Sequence, residues 1–144
     1  MKNTTKFIKI TTKHTKEELA AFVANMSASE LDNLSVAYDK FDYVEFDNED
    51  GFECMFAVIN EAHISELLDM YVALSVNFSY EDLTKEALYS SLDTSTYNTH
   101  IDDINKLIEA FIDSNLDVDT VLDKMLDLGK ESLNDKDMLV LTSI

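Results

Sequence analysis

Apolar and polar positions along this chain follow two different periods, and the switches between them mark out the elements. KFIKITT, residues 6–12, packs β-branched and aromatic residues into a short run and reads as a strand. Thr15 followed by Glu18 is a capping-box pair, and Leu19, Phe22, Val23 and Met26 continue at helical spacing. Ser29 with Asp32 repeats that signal ahead of Leu31, Leu34, Tyr38 and Phe41. Together these patterns predict helices over 15–26 and 29–41.

The period then shortens to two. Val44 and Phe46 alternate on one side of a polar turn, and Phe52, Cys54, Phe56 and Val58 alternate on the other, which predicts a β-hairpin over 43–59. From Asn60 the helical period returns with Ile64, Leu67, Leu68, Tyr71 and Val72. Ser79 and Asp82 are read as the start of a further helix carrying Leu83, Ala87 and Leu88. SSLDTSTYNT, residues 90–99, is polar and turn-rich and is expected to be a mobile loop.

Thr99 with Asp102 opens a helix striped by Ile101, Ile104, Leu107, Ile108, Phe111 and Ile112. Asp117 opens the next, with Val118, Val121, Leu122, Met125 and Leu126 expected inward and Gly129 as its stop. The ending DMLVLTSI fits a short helix or a strand equally. The expected architecture is α+β and a single domain over residues 1–144: an N-terminal strand plus the hairpin 43–59, amphipathic helices against one face, and a helix-rich C-terminal half.

Charge changes the picture more than composition does. At 144 residues, 46% apolar and 28% charged, the chain has the make-up of a folded domain with its own core. It carries 29 acids against 11 basic residues for a net charge of −18, and every basic residue is lysine. Without arginine there is no bidentate fork for phosphate. Lys2, Lys6, Lys9, Lys13 and Lys16 precede the first acid, so from Glu17 onward six lysines face all 29 acids, a balance of −23. Such a surface repels nucleic acid and anionic membrane and attracts a basic partner at low salt. No apolar run approaches the ~20 residues of a membrane span, and Cys54 is alone. A cytoplasmic setting is expected, with neither metal nor cofactor.

Candidate chemistry is sparse. With Gly51 at the sixth position of a calcium loop, Asn48 and Asp50 fit the third and fifth, but Phe46 and Ala57 stand where the first and twelfth ligands belong. His63 and Glu66 could share a metal across one helical turn, yet nothing in the sequence pairs with them. Cys54 sits on the apolar face of a strand, where a thiol is buried and inert. Two glycines are too few for a P-loop, a dinucleotide fingerprint or a nucleophile elbow. No enzyme is expected.

The acids remain. Asp39, Asp42, Glu45, Asp47, Glu49, Asp50 and Glu53 gather around the hairpin, and Asp119, Asp123 and Asp127 recur every fourth residue further on. Like charges at that spacing cost a few tenths of a kcal/mol each. A single ladder sets one carboxylate per ~6 Å of helix, against one charge per ~1.7 Å in duplex DNA, so DNA mimicry would need both groups on one surface. Tyr43 and Phe52, beside the turn, are the expected aromatic anchors.

These features point to a non-catalytic acidic inhibitor that binds and blocks a basic, nucleic-acid-binding protein. By analogy of charge and size, this is the manner of phage-encoded antagonists of bacterial defence nucleases, of the anti-restriction or anti-CRISPR type and including DNA mimics. The alternatives are an immunity protein against a nuclease toxin and an interaction module whose acidity is incidental.

Overall fold

The structure, a computed structural model, describes residues 5–94 and 100–143. It is an α+β fold built on a four-stranded antiparallel sheet. The strands are β1 (Thr5–Thr12), β2 (Asp42–Asp47), β3 (Glu53–Asn60) and β4 (Phe78–Asp82), in spatial order β2-β3-β1-β4. The helices are α1 (Lys16–Ala24), α2 (Ala28–Tyr38), α3 (Glu61–Ala73), α4 (Thr84–Leu88), α5 (Ile101–Asn115), α6 (Val118–Leu128) and α7 (Asp135–Thr142).

Helices cover both faces of the sheet, where the hydrophobic pattern had suggested one. Phe7, Phe46, Cys54 and Phe56 pack against Ala87 of α4 and against Ile104, Leu107 and Phe111 of α5. Ile8, Ile10, Met55, Ala57 and Ile59 point the other way, onto Phe41 and onto Ile64 and Leu67 of α3. The reason lies in β3: CMFAVI is apolar at every position, the signature of a strand buried on both sides. Helices before β4 therefore cover one face, and α4 and α5, after it, cover the other.

Local signals set most boundaries. The Thr15 hydroxyl accepts from the Glu18 N–H and the Glu18 carboxylate accepts from the Thr15 N–H, a complete capping box. The second box uses Ser27 and Glu30 rather than Ser29 and Asp32. Residues 78–82 form a strand, and the predicted helix begins only at Thr84. An edge of β1 is open there, and it pairs Ile10 with Tyr80 and Thr12 with Phe78. The Leu83 N–H then donates to the Phe7 carbonyl and the Phe7 N–H to Thr84 Oγ1, closing the strand onto α4.

The C-terminal segment resolves as helix, opened by a capping box between Asn134 and Asp137. Gly129 stops α6 with a positive φ of 89°. The proposed mobile loop, in its 95–99 part, and the Thr99 cap lie outside the described residues.

Candidate functional site

The hairpin tip is built by one side chain. Asn48 Oδ1 accepts from the N–H groups of Asp50 (3.0 Å) and Phe52 (2.9 Å), and the Asn48 N–H donates to the Phe52 carbonyl (2.8 Å). Gly51 supplies the left-handed residue, φ 81°, that a three-residue connection needs. Glu49 and Asp50 are exposed at its apex.

Below the tip, the register stacks like charges. Asp47 lies directly opposite Glu53, and strand alternation puts Glu45 and Tyr43 on that same face. Like charges opposite one another destabilise a sheet, and here the pair joins the edge strand β2 to the inner strand β3. Partial burial, a hydrogen bond with the Glu45 carboxyl and the nearby charges of Glu45 and Asp47 push the Glu53 carboxyl up to about 7, while Lys16 pulls the other way. The Glu53 backbone is pinned: its N–H donates to the His14 carbonyl (2.8 Å) and its carbonyl accepts from Thr12 Oγ1 (2.7 Å).

The shift has a pH consequence of definite sign. The folded state holds the Glu53 proton more tightly than the unfolded chain does, so stability is highest at the acid end of the interval and falls as pH rises from 4.5 through about 7. For a wholly buried group the shift would amount to about 3 kcal/mol; solvent screening at a half-exposed carboxyl reduces it to the order of 1 kcal/mol. Urea denaturation at about pH 5 and about pH 8 measures it. Glu53→Gln is expected to flatten the difference, and an unchanged difference in that variant would remove Glu53 as its source.

The other predicted residues disperse. Asp42 pairs with Val58 and points to the α5 side of the sheet, and Asp39 caps the end of α2, exposed. Tyr43 is 42% exposed, its ring braced by Tyr38 (centroids 5.3 Å) and Phe41 (5.6 Å). Phe52 is half-buried.

On α6, Asp119 and Asp123 are exposed, but Asp127 is held by Lys85 (3.0 Å) and the Tyr89 hydroxyl (3.2 Å). These contacts keep its carboxyl below the usual range. They also tie the ladder to α4, which packs on β1, whereas the hairpin acids belong to β2 and its partner β3. Lys124, which sequence spacing would set beside the ladder, turns inward to Asp137 instead. Leu122 and Leu126, expected inward, are 39% and 81% exposed, because Val121 and Lys124 take the buried stripe of α6.

A cavity of about 350 Å³ lies between α1, α2, α3 and the sheet face that carries Glu45 and Glu53. Leu19, Phe22, Leu34, Ile10 and Met55 give it apolar walls, and Glu45, Glu53 and Lys16 stand at its polar end. Tyr38 and Tyr71 also line it, their hydroxyls 2.6 Å apart. Burial pushes the Tyr38 phenol up to about 12 and raises that of Tyr71 further. No residue of α1 is fully buried.

The remaining titratable side chains make local contacts. Cys54 is buried, which raises its thiol. His14 Nε2 accepts from the Asn77 N–H (2.8 Å) and its ring meets Phe22 edge-on. His63 and Lys40 both approach Glu66. Among the described residues, no three His, Cys, Asp or Glu side chains converge as a metal's ligands would, and no helix is long and apolar enough to cross a membrane.

No protein-family model matches the chain, and neither curated proteins nor solved structures include a significant match to it.

Proposed function

We propose that this protein is a non-catalytic acidic antagonist: it binds and blocks a basic, nucleic-acid-binding protein through the β2–β3 hairpin. One observation carries this reading. Asp47 of the edge strand β2 faces Glu53 of its neighbour β3, with Glu45 beside them, and the hairpin tip adds Glu49 and Asp50. The fold accepts like-charge repulsion there, and a cationic partner would relieve it.

The mechanism is steering followed by occlusion. The field of a chain at −18 accelerates encounter with a cationic groove, and the hairpin acids occupy it. Tyr43, exposed yet braced by two rings, is the anchor; a pre-ordered aromatic loses little freedom on binding. Asp119 and Asp123 extend the field, while Asp127, already paired with Lys85, adds little. Phage antagonists of bacterial defence nucleases, working in the host cytoplasm, are the type this fits, with nuclease immunity proteins as the alternative.

Changing Asp47 to Asn, Glu49 to Gln and Asp50 to Asn together is expected to weaken capture of the basic target at least tenfold. All three side chains are exposed, so circular dichroism and the urea midpoint should match the parent or exceed it. Undiminished capture by the correctly folded triple variant rules out the hairpin as the contact surface.

A further inference from the structure

The cavity beneath α1 meets the antagonist surface only at Glu45 and Glu53, and the rest of its lining plays no part in that reading. Its volume, about 350 Å³, falls at the lower end of the range for small-molecule pockets, about 300–1,000 Å³. Water is a poor filling for it, since a buried water needs two to four polar partners and most of these walls offer none. The two tyrosine hydroxyls engage each other, one donating and the other accepting. An apolar body would complete the packing that α1, with no fully buried residue, leaves unfinished.

The polar end then selects the head group. Glu45 and Glu53 line that end together, and their mutual repulsion is offset only partly by Lys16. An anion would add to the repulsion and a neutral group would leave it. A cation would let both carboxyls ionise and turn the repulsion into attraction.

We infer that this cavity is a binding site for a small organic cation, an ammonium group on an aromatic or aliphatic body, with the body between α1 and the sheet and the ammonium at Glu45 and Glu53. The occupant is a free molecule and not a partner's side chain. Helix α1 roofs the cavity, and access runs past the exposed rim residues Lys16 and Ala20. The site shares Glu45 and Glu53 with the hairpin surface, but amine binding can be measured without any protein partner, and the Asp47, Glu49 and Asp50 triple variant leaves both carboxyls in place.

The test is a titration with 4-phenylbutylamine, 4-phenylbutanol and 4-phenylbutyrate, which share a body and differ in charge. It is followed by calorimetry and by the methyl NMR signal of Met55, which lines the cavity. The amine is expected to bind saturably and at least tenfold more tightly than the alcohol, with no binding of the carboxylate. Glu53→Gln should cost at least tenfold in amine affinity. Ala20→Trp, which fills the mouth from an exposed position and so spares the core, should abolish it. Equal affinity for amine and alcohol, amine binding that survives Ala20→Trp, or no saturable binding of any probe would each overturn the inference.

Discussion

Replacing Asp137 with alanine is expected to cost about 3–5 kcal/mol of folding stability, as breaking a buried pair does when one charge is left behind. Lys124 Nζ lies 2.8 Å from Asp137 Oδ2, and the two side chains are only 3% and 1% exposed. Asp137 also accepts from the Asn134 N–H (3.0 Å), so the same carboxylate holds the start of α7. Alanine removes the counter-ion and that capping contact and strands an ammonium inside the protein.

The companion variants separate these contributions. Lys124→Met alone strands the carboxylate instead and should be costly too. Lys124→Met combined with Asp137→Asn keeps the cap and removes both charges, and should recover more than half of the loss. Urea denaturation gives all three values. A loss below about 1 kcal/mol for Asp137→Ala would mean that Lys124 reaches water once released.

Phe56→Ala is expected to be of similar size, about 3–5 kcal/mol, from lost burial and the cavity left behind. Phe56 is fully buried on the inner strand β3, with its ring 5.5 Å from Phe7 and 5.2 Å from Phe46. Neither neighbour can collapse into the gap easily, since Phe7 also packs on Phe111 at 5.6 Å. Phe46 sits on an edge strand, so Phe46→Ala should cost less. Equal losses at the two positions would show that β3 does not organise this face.

Much of this fold can be read from the chain because its signals are local. Asn48 and Gly51 announce the turn, the alternation from Val44 to Val58 announces the hairpin, and Thr15 with Glu18 announces a helix. Strand β4 escapes because it is an edge strand whose five residues, FSYED, are mostly exposed. Its existence depends on β1, nearly 70 residues earlier, while Ser79 and Asp82 mimic a helix start. The second covered face was legible in the unbroken apolar run of β3, where alternation alone draws attention to one side only.

The site divides in the same way. The acid count of the hairpin is plain, and counting outward from Asn48 and Phe52 would have set Asp47 opposite Glu53. The partners of the ladder are not legible: Lys85 reaches Asp127, and Lys124 turns to Asp137, because of how helices pack and not because of spacing. The cavity draws its lining from residues 10 to 76, and no local pattern announces it.

The central claim is that acidic side chains, and not an apolar patch, hold the target. Its most direct test is capture of basic proteins from a bacterial lysate on the immobilised protein, quantified at about 50 mM and about 300 mM salt. Raising salt over that range shortens the reach of surface charges roughly two- to threefold and leaves apolar contacts in place. The account predicts a basic nucleic-acid-binding protein retained at low salt and released at high salt, and retained poorly at either by the Asp47, Glu49 and Asp50 triple variant. Retention indifferent to salt and to those three substitutions would contradict it.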